Sequence, residues 1–401
     1  MRIVIDVTSA ASSPMSTGIQ RVVRGTRSAL EQIGHEMLPI IWDDETGSYR
    51  ALTPVESVNL NTPWQSWHSR LPTMLRGPVT RFTERRLEGW KQQASAPLGE
   101  WLDGAGCFLV PEIFRDGRIG VFEQARKSKA TPWIAYFYDA TPLKLAEITD
   151  PDRRSAIDGY HRALSRFDAV IAASQETRTD IEDLWRQLGV PSSKTRVLPW
   201  PISFEEPRPV AAPNFEARSL LYVATLEGRK NHLTLLEAAE HLWKSGERFT
   251  LRLIGRATKH WGPQVRNEIA RLRKARRDLV WEGTTTDQRL EAAYNECSAT
   301  VFPSLMEGYG IPILESLWFG RPCLCGNNGA IGEVSSGGGC LHADMSDATA
   351  LSRAMRQLLN DATLYQRLHS EAQARTFPHW DAFASRLLID EASTGAIGSE
   401  G

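Results

Sequence analysis

Apolar residues are distributed along the chain in two alternating ways. Short continuous runs sit between turn-forming residues, and between those runs apolar positions recur every three or four residues. The first pattern predicts buried strands and the second amphipathic helices, and their alternation is the mark of a parallel α/β layer structure. In the first half the predicted strands are Arg2–Val7, Met37–Ile41, Cys107–Val110, Trp133–Tyr138 and Ala169–Ala172. Helical patterns such as "GIQRVVRGTRSALEQIG" and "DRRSAIDGYHRALSRF" lie between them. A second series follows at Ser219–Val223, Thr250–Ile254, Leu279–Trp281, Ala299–Phe302 and Pro322–Cys325. Between the two series, "VLPWPISFEEPRPVAAPNFEA" carries five prolines, a density that breaks periodic structure and reads as a linker. The expected organisation is therefore α/β, with two doubly wound units, 1–203 and 204–376. A helix in 377–390 is expected to pack back on the first unit, and 391–401 is expected to be a flexible tail.

Composition narrows the class without naming a function. The chain has 401 residues, 41% apolar and 24% charged, with a formal net charge of −1. That balance exerts no general pull on polyanions, so nucleic acid is not an expected partner. Five cysteines without CxxC or Cys/His spacing argue against a disulfide framework or a zinc site, so no metal is expected and a reducing cytoplasm is the expected location. "MRIVIDV" opens as a strand rather than a signal peptide, and no apolar stretch has the length of a membrane span.

Three short stretches carry candidate chemistry. "PSLMEGYGIPILES" (Pro303–Ser316) reads as the end of a buried strand, a turn, and a helix with proline in its first turn. Gly308 and Gly310 allow close backbone approach, and the helix start faces an anion. Glu307 lies on the turn and Glu315 one turn into the helix. Eight helical steps would set them about 12 Å apart at 1.5 Å each, whereas the carboxylate pair of a retaining hydrolase is separated by ~5 Å. The pattern suits two contacts to different parts of one long ligand rather than an acid/base couple; an isolated E-x7-E is also common on solvated surfaces. "YVATLEGRKNH" places Arg229 and Lys230 in the turn after a strand, where cations grip phosphate, although most such pairs are only solvated. "SPMSTGIQRVVRG" opens a helix after the first strand and puts Gly18 in reach of a phosphate. It has no GxGxxG or Walker A pattern, so a nicotinamide-type dinucleotide site is not expected.

These stretches, in this order, resemble the family 4 glycosyltransferases, retaining enzymes of the GT-B fold. "FPSLMEGYGIPILESLWFGRPCL" is similar to their E-x7-E signature and "LYVATLEGRKNHLTLLEA" to their lysine-bearing donor loop. "RLIGR", "WEGTTTDQRLEAAYNECSATVFPSLMEG", "DVTSAASSPMSTGIQRVV", "YFYDATPLKLAE" and "FDAVIAASQETRTDI" also follow the family's pattern. The resemblance weakens between about 45 and 105.

It implies an acceptor-binding first unit and a nucleotide-sugar-binding second unit. Glu315 would bind the ribose; Glu307 with Gly308, Tyr309, Gly310 and Ile311 would hold the donor's sugar and phosphate. Lys230, helped by Arg229, would neutralise the diphosphate, and Gly18 would mark the loop closing over the donor. The implied catalytic set is Glu307, Lys230 and Asp139, without a cofactor or metal. Two departures stand out. Tyr138-Asp139 replaces the usual His-Asp, leaving Asp139 either a substrate contact or a structural cap. Ala224-Thr225 replaces the usual Gly-Arg, removing one cation, and Arg256 is either its replacement or an ordinary surface arginine. His161, His232 and His342 are expected to be ordinary helix or loop histidines.

The implied activity is sugar transfer, with a slight preference for mannose or a deoxysugar, from a GDP- or UDP-sugar. The acceptor would be a glycan or lipid-linked oligosaccharide of a bacterial surface polysaccharide. A nucleotide-sugar epimerase on the same fold is the alternative, and a non-catalytic scaffold a third. Within "WQSWHSRLPTMLRGPVTRFTERRLEGWK" (Trp64–Lys91), six cations stand against two glutamates and tryptophans are interleaved. That composition suits an anionic membrane surface at the inner face of the cell membrane; packing against the acceptor site would explain it equally.

Overall fold

A computed structural model of the chain describes residues 1–13, 15, 17–61, 95–125, 131–148, 157–204, 207–209 and 212–389. The basic stretch 64–91 and the tail 391–401 lie outside the described residues. The described residues form two sheets, as the alternation of strand and helix patterns implies.

The first sheet runs in the order β4-β3-β2-β1-β5-β6-β7-β8. Its strands are β1 (Arg2–Asp6), β2 (Glu36–Asp43), β3 (Ser48–Arg50), β4 (Ser95–Ala96), β5 (Cys107–Val110), β6 (Trp133–Phe137), β7 (Ala169–Ala172) and β8 (Lys194–Val197). From β2 to β8 every pairing is parallel, and β3 and β4 add an antiparallel edge. Strands β5, β6 and β7 are buried along their whole length, as a parallel sheet covered by helices on both faces requires. The second sheet is β11-β10-β9-β12-β13-β14, with β9 (Ser219–Val223), β10 (Thr250–Ile254), β11 (Leu279–Trp281), β12 (Ala299–Phe302), β13 (Cys323–Cys325) and β14 (Cys340–His342). All its pairings are parallel.

Four strands were not legible as apolar runs: β3, β4, β8 and β14. Each is two to four residues long, and β8 is "KTRV", with two charges in four positions. The proline-rich stretch is also less of a free linker than its composition suggests. Trp200 is buried and stacks on Tyr136 with ring centroids 4.8 Å apart. The Arg208 guanidinium donates to the carbonyls of Trp318, Ala372 and Gln373. Proline prevents regular structure here, but the side chains still anchor the crossing to both units.

In each sheet the winding direction reverses once, between β1 and β5 and between β9 and β12. A crevice opens beyond the strand ends at such a point, where ligands bind. The two crevices face each other. Ser174 Oγ and Thr177 Oγ1, at the start of the Gln175–Leu188 helix, donate to the Gly308 carbonyl at 2.9 and 2.7 Å. Nearby, the backbone N–H groups of Gln175 and Glu176 donate to the Glu333 carboxylate at 2.8 and 2.7 Å. The chain finally returns to the first unit. Helix Trp380–Leu387 packs on helix Gly18–Gln32, with Trp380 so close that a Cβ on Gly25 would lie 2.2 Å from its ring. Arg196 Nη1 donates to the Leu387 carbonyl at 2.9 Å.

Candidate active site

The turn after β9 is a single 3-10 turn, Gly228–Lys230, that ends at Asn231 in a left-handed conformation (φ 55°). Asn231 Nδ2 holds the Met345 carbonyl at 2.6 Å, and Tyr222 Oη donates to the Lys230 carbonyl at 2.6 Å. Gly228 is fitted between Trp261 and the Ile148 carbonyl, with no room for a Cβ. These constraints aim Arg229 and Lys230 at the loop after β12. Leu305 N donates to the Arg229 carbonyl at 2.9 Å, strapping the two loops together.

Glu307 then receives both cations, Arg229 Nη1 at 2.6 Å and Lys230 Nζ at 2.5 Å. All three side chains are largely buried. Burial alone would raise the Glu307 pKa, but the Arg229 and Lys230 charges outweigh it and hold the carboxyl down at about 2. Burial and the adjacent Arg229 lower Lys230. Glu227 sits 3.5 Å from Arg229 Nε, so the cationic turn is balanced by two carboxylates.

Glu315 lies on helix Ile311–Trp318, whose N-cap Gly310 takes a left-handed conformation (φ 107°). Its carboxylate accepts from Tyr294 Oη at 2.7 Å and from Arg21 Nη1 at 2.9 Å. Arg21 comes from the first unit, and its other nitrogen is ion-paired to Asp287 at the start of helix Asp287–Glu296. Thus each glutamate of the E-x7-E pair is already matched by cations, Glu307 within its own unit and Glu315 across the cleft.

The remaining expected residues gather around the same space. Gly18 opens its helix after a Thr17–Gln20 capping box, and a Cβ there would lie 3.7 Å from Ile311 Cδ1, an ordinary contact. Asp139 Oδ1 caps the Thr141 N–H at 3.0 Å, which shows the structural role and leaves its second oxygen beside the cleft. Tyr138 does not stand in for a histidine: its hydroxyl donates to the Pro111 carbonyl at 2.6 Å. Gly308 lines the cleft and also meets the first unit. A Cβ there would sit 1.6 Å from the Tyr138 carbonyl, so the missing side chain admits the backbone of the other unit. Tyr309 is buried behind the turn. Arg256 borders the cleft and is exposed. Among the histidines, His161 and His232 are buried and pushed down to about 4 and about 3, first by burial and then by Arg115 and Lys230 respectively. They stay neutral in the physiological range and play no part in the cleft.

The cavity has a volume of about 500 Å³ and is lined by Gly18, Arg21, Asp139, Arg229, Lys230, Glu307, the 308–312 turn and Glu315. It extends past Ile254–Arg256 and Gly283–Thr285 to Asp287 and Leu290. That is a normal size for a small-molecule site. The cationic turn Arg229–Lys230 and the Glu315 carboxylate both line it. Sequence reasoning missed Arg21, Asp287, Tyr294, Ser174 and Thr177. Arg21 and Asp287 look like ordinary charges on the solvated face of a helix, and only the apposition of the two units reveals them.

Two facing Rossmann-like units with a cleft between their strand ends define the GT-B class of fold. The fold is shared with sucrose-phosphate synthase of Thermosynechococcus elongatus (TM-score 0.64, 17% identity, 96% of this chain and 97% of that one). It is shared equally with Anabaena HepE in complex with UDP-glucose (TM-score 0.64, 15% identity, 98% and 99%). Residues 203–375 match the family described as glycosyl transferases group 1. The chain is 24% identical over 420 residues to the serotype-specific mannosyltransferase WbdA of Escherichia coli, covering 97% of this chain and 48% of that protein. A stretch of 142 residues is 33% identical to O-antigen chain mannosyltransferase B of Escherichia coli, covering 35% and 36%. The chain thus spans about half the length, or less, of these curated relatives.

Proposed function

We propose that the chain is a retaining family 4 glycosyltransferase that moves a hexose, with mannose preferred over a deoxysugar, from a nucleotide diphosphate donor to a glycan or lipid-linked acceptor during synthesis of a bacterial surface polysaccharide. The observation that carries this reading is the placement of Arg229, Lys230 and Glu307 at the β9/β12 switch, with Glu315 farther along the same cleft. The mannosyltransferase names of two relatives favour the sugar and, with it, a GDP donor. The UDP-glucose bound to HepE keeps UDP in the test.

The chemistry follows from charge. As the glycosidic bond breaks, negative charge grows on the departing diphosphate, and fixed cations in a dry cleft stabilise it most at that moment. Arg229 and Lys230 are held there by backbone constraints and lie within reach of each other's partner. Glu307 pairs with both cations. When diphosphate oxygens take over the two cations, Glu307 is released towards the sugar hydroxyls, orienting the ring. The acceptor hydroxyl enters on the face the diphosphate leaves, and a diphosphate oxygen takes its proton, so configuration is retained. The compensating positive charge in these steps comes from Arg229 and Lys230, without a metal. Asp139, beside the cleft, is assigned to the acceptor or sugar. The protein is assigned to the cytoplasm, with 64–91 touching the inner face of the membrane; no helix among the described residues is long and apolar enough to cross it.

Incubation with UDP-, GDP- and dTDP-sugars and an oligosaccharide acceptor tests the reading. The expected result is nucleotide release that depends on acceptor, a product anomer matching the donor by NMR, and loss of both in Glu307→Ala. Conversion of the donor sugar without acceptor would instead identify an epimerase. No turnover with any nucleotide sugar, together with an inert Glu307→Ala, would reject both.

A further inference from the structure

Chemistry that the donor cleft does not use is concentrated at the edge of the second sheet. Strands β13 and β14 pair in parallel, with Cys323 opposite Cys340 and Cys325 opposite His342. Residues two apart on a strand share a face, so all four side chains project to one side of the sheet and Leu324 and Leu341 to the other. The three sulfurs lie within 4.8 Å of one another. Cys323 and Cys325 are fully buried, Cys340 is half-buried and His342 is exposed, which leaves a way in from solvent. His342 Nε2 lies 2.9 Å from Ser335 Oγ on helix Gly329–Ser335, a contact that orients the ring and leaves Nδ1 for another partner.

A single buried cysteine is explained as a small apolar filler. Convergence of three of the chain's five thiols is not, and strand register sets an imidazole beside them, His342 opposite Cys325. We propose that Cys323, Cys325, Cys340 and His342 form a structural site for Zn²⁺. Sulfur and imidazole ligands are the set this ion prefers, and a tetrahedral ion with ~2.3 Å bonds needs sulfurs about 3.8 Å apart, inside the span of the cluster. The Ser335 contact at the far ring nitrogen is the kind of outer partner that fixes a ligating histidine. Binding releases three thiol protons to solvent and leaves a centre of one net negative charge, so affinity rises with pH. Arg375 stands at the same edge, donating to the carbonyls of Gly338 and Val334, and offsets that charge. Four protein ligands leave no open position, so the ion joins β13 and β14 to helix Gly329–Ser335 and takes no part in sugar transfer. The sequence concealed the site because C-x-C followed fifteen residues later by a third cysteine matches no familiar zinc spacing.

The test is titration of the chelator-treated, reduced full-length chain with Co²⁺ alone, followed by Zn²⁺. One equivalent of Co²⁺ is expected to give a thiolate charge-transfer band and tetrahedral visible bands, both erased by Zn²⁺. Cys323→Ser and Cys340→Ser should lose the charge-transfer band, His342→Ala should weaken the visible bands, and the Cys107→Ser/Cys297→Ser double variant should keep both. Zn²⁺ in excess should raise the melting temperature of the wild-type chain by mass action, a readout that does not require the cysteine variants to fold. A wild-type chain with no charge-transfer band, a band that survives Cys323→Ser, or a melting temperature unmoved by Zn²⁺ would overturn the proposal.

Discussion

Glu307 is the residue on which the cleft's electrostatics turn. Folded, its carboxyl titrates near 2 rather than near 4.5. The stability it contributes is therefore full above about pH 4.5 and lost as pH falls through about 2. At ~1.4 kcal/mol per pH unit the contribution is about 3 kcal/mol. Urea unfolding of wild type and Glu307→Gln should show a gap that is constant near neutrality and narrows steadily in acid; a gap independent of pH would contradict the assigned pairing. Arg21 makes the opposite kind of claim. It occupies the carboxylate that the ribose is expected to use, so binding must displace its hydrogen bond to Glu315. Arg21→Ala should bind free GDP or UDP tighter by about five- to tenfold, the worth of one hydrogen bond at ~1 kcal/mol. Calorimetry showing weaker binding would mean that the guanidinium contacts the nucleotide instead.

At the scale of elements, most of the architecture was readable because parallel strands buried on both faces are written as unbroken apolar runs. β5, β7, β9, β10, β11 and β12 have the expected limits. The strands that escaped are short or carry charges, and pairing to a neighbour, which no local pattern records, is what makes them strands. The turn after β12 shows the same limit at the site. Its glycines were legible as permissive positions, yet the use of Gly308 depends on where the Tyr138 carbonyl lies. Gly308→Ala should push the turn off the first unit and strain its bonds from Ser174 and Thr177. Turnover is expected to fall at least tenfold, while nucleotide affinity, set by the second unit, changes less than threefold. An equal loss in both would place the defect inside the second unit instead.

At the scale of the whole molecule, the two units meet through contacts made by residues more than a hundred positions apart, such as Arg21 with Glu315 and Ser174 with Gly308. This is why Glu315 was recognisable from its motif while its partner Arg21 was not. The proposed membrane contact belongs to this scale too. Sedimentation with vesicles containing anionic lipid should fall at least fivefold for Arg85→Gln/Arg86→Gln, and raised salt should mimic the change, because each basic residue near such a surface is worth ~1 kcal/mol. Binding indifferent to salt and charge would assign the segment to the acceptor side.

The matched charges of the cleft bear on how the proposed donor would bind. A compound that brings only a diphosphate can break the Glu307 pairs, and one that brings only a ribose can break the Arg21–Glu315 pair. Each then leaves a charged network half rearranged. A whole nucleotide rearranges both together. On the proposed function, uridine or guanosine and inorganic diphosphate, measured separately, should bind with affinities whose product falls well short of that of the linked nucleotide, and a product equal to it would show that the two sets of ion pairs open independently.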